Sequence, residues 1–253
     1  MAHLSGKFVW FEHYSTDIPG ARRFYEGLFG WHTELMPLGA ERYPMIMAGS
    51  DGVGGYSQAE PGAAAHWRSY LSVADVDDGY NRALQHGAVS VQPPTDFAPV
   101  GRGAVVRDPT GALLALWTSA QGDAPDTTTA PAGHFCWNEL TTPDASRALE
   151  FYREVFGYES QALDMGPQGT YHVLSRNGQQ RAGLMQCPEA GMPAMWLPYV
   201  SVPDADATAA KAESLGARLM MPVMDVPNVG RMGMATDPLG AAIAFIRLND
   251  TGK

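Results

Sequence analysis

Two stretches decide the fold: GKFVWFEHYSTDIPGARRFYEGLFGW at residues 6–31 and GHFCWNELTTPDASRALEFYREVFGY at 133–158. Laid over each other at an offset of 127, they agree at Trp10/Trp137, Glu12/Glu139, Asp17/Asp144, Phe24/Phe151, Tyr25/Tyr152 and Gly30/Gly157. The offset grows to 128 at Gly55/Gly183 and Gln58/Gln186. It reaches 129 at Trp67/Trp196, Tyr70/Tyr199, Asp75/Asp204, Gly87/Gly216, Arg102/Arg231 and Asp108/Asp237. Two one-residue insertions therefore separate two copies of one unit. The join, QGDAPDTTTAPA at 121–132, lacks bulky apolar residues and reads as a linker. The expectation is one domain at 1–120, the linker at 121–132 and a second domain at 133–253.

A weaker repeat lies inside each half. FVWFEHYS alternates like a strand and runs into Asp17, a good helix N-cap. Ile18, Ala21, Phe24, Tyr25 and Leu28 then share one helical face, and Gly30 supplies the stop. Strands are expected at 31–37, 43–49 and 53–58. The pattern restarts at WRSYLSV, with Asp75 as cap, Val76, Tyr80, Ala83 and Leu84 on one face and Gly87 as stop. Strands at 88–92, 102–107 and 112–118 follow. Each half thus reads strand–helix–strand–strand–strand, twice.

Composition sets the bounds. The 253 residues are 45% hydrophobic and 17% charged, enough apolar material for packed cores. Twenty-seven acidic residues against 17 basic ones give a formal charge of −10, which opposes nonspecific nucleic-acid binding. No run of about 18 apolar residues exists to span a membrane. The opening MAHLSGKFVWF lacks the charged and apolar regions of a signal peptide. Cys136 and Cys187 have no C-x-x-C context and read as reduced thiols of a cytoplasmic protein.

The ordered set of motifs resembles the vicinal oxygen chelate superfamily, which includes glyoxalase I, bleomycin-resistance proteins and extradiol dioxygenases. The residues that carry it are FYEGLFGW at 24–31, VADVDDGYNRALQHGA at 73–88 and DPTGALLALW at 108–117, with FYREVFGY, VPDADATAAKAESLGA and DPLGAAIAFI in the second half. The W-x-E near both starts looks most like a two-domain, mycobacterial-antigen-type glyoxalase-like subgroup. The resemblance implies an α+β fold of two tandem domains, in each of which two βαβββ units form an open half-barrel cup.

It also implies where a metal would sit. Metal-using members place a His at the start of the first strand, a His or Gln at the start of the second unit's first strand, and a Glu in the last strand. Carried over by spacing, these positions are Trp10, Arg68 and Ala115 in the first cup and Trp137, Leu197 and Ala244 in the second. Indole only donates, guanidinium keeps its proton, and Leu and Ala offer no ligand atom. The expectation is two cups without the family's metal site and no cofactor. His13 points to the other strand face, His172 lies opposite Pro44 of the first half, and an unusual site from Glu12 and His66 is the remaining metal alternative.

Glu12 and Glu139 share the strand parity of Trp10 and Trp137 and are the candidate general bases. Against that, a buried carboxylate needs a cation or several donors. Arg102/Arg231 is the arginine repeated in both halves, so Glu12 is expected to pair with Arg102 and Glu139 with Arg231. Asp108/Asp237 and Asp75/Asp204 read as turn and cap residues. The halves diverge where Arg68, Gln92, Thr95 and Trp117 face Leu197, Met221, Met224 and Ile246. Expected ligand-binding residues are Trp10, Arg68, Trp117, Trp137, Met185, Leu197, Met221 and Met234. Methionine and tryptophan suit a malleable pocket for a flat molecule.

The resulting expectation is metal-independent binding of a small aromatic or hydrophobic molecule, as in sequestration or resistance. The alternative is a glyoxalase-type lyase, isomerase or dioxygenase that uses a relocated metal or a Glu base. The expected partner is a small molecule, with no nucleic acid and no membrane, for a monomer or homodimer.

Overall fold

The computed structural model describes residues 2–39, 41–127 and 129–249. Met1 and Ala40 of the expected first domain, Thr128 of the linker and residues 250–253 of the second domain lie outside the described residues. The first half runs β1 (Phe8–Ser15), α1 (Ile18–Phe29), β2 (His32–Leu38), β3 (Glu41–Ala48), β4 (Asp51–Gln58), then β5 (His66–Ser72), α2 (Val76–Gln85), β6 (Val89–Phe97), β7 (Gly101–Arg107) and β8 (Leu113–Ser119). The second half repeats it as β9 (Phe135–Thr142), α3 (Ala145–Phe156), β10 (Glu159–Asp164), β11 (Thr170–Arg176), β12 (Gln179–Gln186), then β13 (Met195–Ser201), α4 (Ala205–Ser214), β14 (Arg218–Val226), β15 (Gly230–Thr236) and β16 (Ala242–Leu248). The fold is α+β, with four βαβββ modules. The strands form two eight-stranded sheets, ordered β2-β3-β4-β1-β5-β8-β7-β6 and β10-β11-β12-β9-β13-β16-β15-β14. Among the described residues no helix is long and apolar enough to cross a membrane.

All four helices start on the aspartates read from the repeat. The side chains of Asp17, Asp75, Asp144 and Asp204 accept from the N–H of Gly20, Asp78, Arg147 and Ala207. Gly30 and Gly157 end α1 and α3 at φ +72° and +66°, a conformation that costs a side-chain-bearing residue more. β6 runs to Phe97 rather than stopping at 92. It is an edge strand whose register against β7 slips on either side of Gln92, so Pro93 and Pro94 cost it no ladder bond that a central strand would need.

By packing, the chain forms two compact units that do not follow the halves. The middle unit contains the residues to Trp10, Arg68–Asp126 and Trp137–Trp196. The terminal unit contains Phe11–Trp67, Thr127–Cys136 and the residues from Leu197 on. Each unit therefore joins a module of the first half to a module of the second.

The middle unit packs α2 against α3, and Arg82 Nη2 donates to the Glu154 carbonyl at 2.6 Å. Its core holds a relay: Trp196 Nε1 donates to Tyr152 Oη at 2.9 Å, and Tyr152 Oη donates to Asp108 Oδ2 at 2.8 Å. Asp108 Oδ1 meanwhile accepts from the N–H of Thr110, Gly111 and Ala112, the turn role expected of it. The start of the linker is tied down in this unit. Asp126 accepts two 2.8 Å bonds from the Arg181 guanidinium and lies 3.1 Å from Lys7 Nζ, while Asp123 accepts from Leu4 N and Ser72 Oγ.

The terminal unit repeats the relay. Trp67 Nε1 donates to Tyr25 Oη at 2.8 Å, and Tyr25 Oη donates to Asp237 Oδ2 at 2.9 Å. Here a fully buried His13 adds its Nε2, 2.9 Å from the same oxygen. The equivalent residue in the middle unit is Leu140. His13 thus faces the helix side of its strand, as its parity implies. Asp108 and Asp237 are turn residues through one oxygen and core partners through the other, which the turn reading did not include. Burial pushes the Tyr25 and Tyr152 phenols well up, so both remain donors to the carboxylates.

Candidate functional site

The same cross-strand arrangement appears once in each unit. In the terminal unit Glu12 on β1 lies opposite Gly55 on the parallel strand β4. A Cβ on Gly55 would sit 1.8 Å from Tyr43 Oη, so the bare glycine is what lets the Tyr43 phenol cross the strand. Tyr43 Oη donates to Glu12 Oε1 and Tyr14 Oη to Oε2, each at 2.7 Å. In the middle unit Glu139 on β9 lies opposite Gly183 on β12, where a Cβ would sit 1.8 Å from Tyr171 Oη. Tyr171 Oη accepts from Trp137 Nε1 at 2.9 Å and hydrogen-bonds the Glu139 carboxylate. Burial, and then the Glu139 charge, raise the Tyr171 phenol, which keeps it a donor. Both glutamates are 7% exposed.

The expected Glu–Arg pairs do not form. Arg102 donates to Asp77 at 2.7 and 2.9 Å and to Asp96 at 2.7 Å. Arg231 donates to Asp206 at 2.6 and 2.9 Å and lies 3.1 Å from Asp225. Each arginine lies on its module's third strand and reaches the first turn of that module's helix, where the acidic residue also suits the helix N-terminus. The carboxylates of Glu12 and Glu139 are met by phenols instead.

The remaining expected residues fall into separate places. Trp10, Arg68, Trp117, Trp137 and Met185 belong to the middle unit; Leu197, Met221 and Met234 belong to the terminal unit. Trp117 packs near Phe97 and Tyr70, with ring centroids 5.9 and 6.2 Å away. Met185 lies opposite both Thr141 and Tyr171 on the neighbouring strands. Met221, Met234, Ala244 and Tyr199 form one register row across four strands. The matching row in the middle unit is Gln92, Val105, Ala115 and Tyr70. His66 stacks on Tyr14 at 5.3 Å and 7°, and its Nδ1 lies 3.1 Å from the Ala64 carbonyl. The structure thus places His66 against the face of the Tyr14 ring and Glu12 at its hydroxyl, with the phenol occupying one carboxylate oxygen.

The donor set does not fit a divalent ion at the positions derived above. Ala115 and Ala244 are fully buried methyl groups, Leu197 is 1% exposed, and the Trp137 indole spends its one donor on Tyr171. Among the described residues no three His, Cys, Asp or Glu side chains converge as a metal cluster. Thiol chemistry has no support either. Burial pushes the Cys136 thiol up to about 12, and Cys187 is raised by the same cause. A cavity of about 400 Å³ in the terminal unit, lined by Thr129, Ser201, Pro203, Arg247 and Asn249 among others, contains none of the residues singled out from the sequence.

Tyr43, Tyr171 and Tyr14 are site residues that the sequence reading passed over. A signal existed for the first two, because Tyr43 and Tyr171 coincide at the offset of 128 that also aligns Gly55 with Gly183.

Comparison with known proteins agrees with the fold. Residues 7–116 and 132–245 each match the family described as Glyoxalase/Bleomycin resistance protein/Dioxygenase superfamily. A Mycobacterium tuberculosis protein named "Putative glyoxylase CFP32" is 33% identical over 244 residues, covering 94% of this chain and 93% of that one. Anthracycline biosynthesis protein DauV of Streptomyces sp. is 30% identical over 263 residues, covering 97% and 94%. The Mn(II)-bound glyoxalase from Novosphingobium aromaticivorans superposes with a TM-score of 0.68 at 14% identity, covering 96% of this chain and 82% of that chain.

Proposed function

Since this chain belongs to the glyoxalase/bleomycin resistance protein/dioxygenase superfamily, we propose that it uses the family scaffold to bind a small aromatic or hydrophobic molecule without a metal ion. The observation that carries the reading is the chemistry at the six positions that the resemblance assigns to a metal: two indoles, a guanidinium, an isobutyl group and two methyls. These side chains cannot complete a divalent coordination sphere. They do suit a flat organic ring, with the methionines adapting to its outline. The relative named for anthracycline biosynthesis supports a polycyclic compound as ligand class. Two free thiols suit a cytoplasmic binder, and a duplicated chain suits a monomer.

Metal analysis of the purified protein, before and after chelator, tests the metal-free part. The expected result is far less than one equivalent of any divalent ion and an unchanged thermal midpoint after chelation. A stoichiometric, chelator-removable ion overturns it. A panel of planar aromatic compounds should raise the thermal midpoint in proportion to occupancy, and a panel that leaves it unmoved overturns the binding part.

A second reading rests on the buried carboxylates. Glu139 or Glu12, shielded from water and hydrogen-bonded to phenols, has the setting of a general base for proton abstraction in a lyase or isomerase reaction. Turnover of a glyoxalase-type substrate that is lost in both Glu139→Gln and Glu12→Gln would favour it over binding alone.

A further inference from the structure

Each unit contains the same backbone junction, but only one of the two is filled. In the middle unit the residues before β1 meet the end of β5: Gly6 N donates to the Ser72 carbonyl at 2.9 Å and Ser72 N to the Lys7 carbonyl at 2.8 Å. Val73 N then donates to the Trp117 carbonyl at 3.0 Å. In the terminal unit Gly133 N donates to the Ser201 carbonyl at 2.8 Å, Ser201 N to the His134 carbonyl at 2.9 Å, and Val202 N to the Ile246 carbonyl at 2.9 Å. The Asp123 carboxylate enters the first junction, where its Oδ2 accepts from Ser72 Oγ at 2.5 Å and from Leu4 N at 2.6 Å. The residue at the offset of 129 from Asp123 is Gly252, which has no carboxylate. At the second junction lies the cavity of about 400 Å³, lined by Thr129, Ser201, Val202, Arg247, Leu248 and Asn249 among others.

We propose that this cavity binds the carboxylate of a small organic acid, in the place that Asp123 fills in the middle unit. Ser201 is the counterpart of Ser72, the hydroxyl that donates to Asp123, and among the described residues its own hydroxyl makes no hydrogen bond. The second donor, Leu4 N, has no counterpart, because the residue at the offset of 127 is Pro131, which lacks an N–H. A cation stands in its stead. Arg247 occupies the position of Thr118, whose hydroxyl is turned to the Val73 carbonyl. The acidic residues nearby are engaged elsewhere. Arg231, opposite Arg247 on β15, takes Asp206 and Asp225, and Asp204, beside Pro203, caps α4 through Ala207 N. Among the described residues no carboxylate pairs with Arg247. A hydroxyl and a guanidinium together offer a carboxylate charge-assisted hydrogen bonds, and an anion is what the position already holds in the other unit. Val202, Pro203 and Leu248 add an apolar wall for the body of the acid, in a volume that suits a molecule the size of benzoate or somewhat larger. None of the six positions assigned to a metal lines this cavity, so the site stands whether or not the cups bind an aromatic molecule.

Isothermal titration at neutral pH with benzoate, its neutral isostere benzamide and inorganic phosphate tests this. Benzoate should bind the wild-type protein about tenfold or more tighter than benzamide, the effect of charge-assisted hydrogen bonds, and tighter than phosphate, which gains nothing from the apolar wall. Arg247→Gln should remove the preference for benzoate over benzamide, and Ser201→Ala should weaken benzoate about fivefold. Circular dichroism on each variant separates loss of binding from loss of fold, and the wild-type order stands as a test without any variant. Benzoate that binds no tighter than benzamide, or not at all, overturns the proposal. Phosphate that matches benzoate overturns the assignment to a carboxylate. A preference for benzoate that persists in both variants places its binding elsewhere and overturns the site. Benzoate binding by Asp250→Asn but not by wild type gives the place to the chain's own carboxylate and overturns it as well.

Discussion

Tyr152 donates a 2.8 Å hydrogen bond to Asp108 across 44 residues of sequence, tying the third module's helix to the turn that closes the second. Tyr25 makes the equivalent 2.9 Å bond to Asp237, but that oxygen also faces His13. The two bonds differ in redundancy, and that difference is measurable. Tyr152→Phe should lower unfolding free energy by about 1.5–3 kcal/mol, the scale of a hydrogen bond to a buried charge. Tyr25→Phe should cost less, because His13 still meets Asp237. Urea unfolding of both variants, with matched m-values, checks the order; a larger loss in Tyr25→Phe contradicts it.

His13→Leu copies the Leu140 of the other half into a fully buried position. It removes a bond to Asp237 while keeping much of the packed volume, so a loss of about 1–2 kcal/mol is expected. His13→Ala also leaves a cavity and should cost about 2–4 kcal/mol. Thermal or denaturant unfolding reads both. A neutral His13→Ala would mean that the imidazole contributes neither packing nor a hydrogen bond.

The Arg181 hydrogen bonds, with help from Lys7, lower the Asp126 carboxyl to about 2. Its unfolded value is about 3.9. A depressed carboxyl stabilises above its unfolded pKa, and that contribution is lost as pH falls through the folded one. Wild type should therefore exceed Asp126→Asn in stability at neutral pH, and the gap should close between about pH 4 and pH 2. The pair is partly exposed, so the gap should stay at or below about 1 kcal/mol and shrink with added salt. A gap that is constant across this pH window contradicts the assignment.

Gly183→Ala places a methyl where the Tyr171 hydroxyl now lies, 1.8 Å from its oxygen. The phenol must swing away from Glu139 and Trp137. The expected result is a loss of about 1–3 kcal/mol, as for other overpacked sites, with a change in tryptophan emission. Gly55→Ala should do the same through Tyr43. Because the Tyr171 ring carbon Cζ also lies 2.4 Å from the new methyl, Tyr171→Phe should not relieve the clash, whereas restored stability in Gly183→Ala/Tyr171→Leu would place the strain at the ring tip. An unchanged emission spectrum in Gly183→Ala would show that Tyr171 does not move.

Much of this was legible in the chain. The offset of 127 to 129 aligned the two halves, the weaker repeat inside each divided them into modules, and the aspartate caps placed every helix start. Strand parity put His13 on the helix face. What failed was the step from likeness to contact. Arg102 was matched to Glu12 because both recur, yet Asp77/Asp206 and Asp96/Asp225 recur at the same offset of 129 as the arginines, and they are the partners. Tyr43 and Tyr171 were missed because their side chains act across a neighbouring strand, over a glycine, rather than along their own. Nor could the repeat reveal that each unit draws on both halves: self-comparison shows which segments are alike, not which ones touch.

The pairing of first and last modules also orders events during synthesis. Tyr25 and Asp237 are 212 residues apart, and the terminal unit is completed only by residues from Leu197 onward. The middle unit draws most of its residues from 68–196 and has them available sooner. As the nascent chain leaves the ribosome, its opening helix and strands wait for a partner that is translated last, with their apolar face uncovered meanwhile. A truncation near residue 237 would therefore strand the amino-terminal module rather than merely clip the carboxyl end.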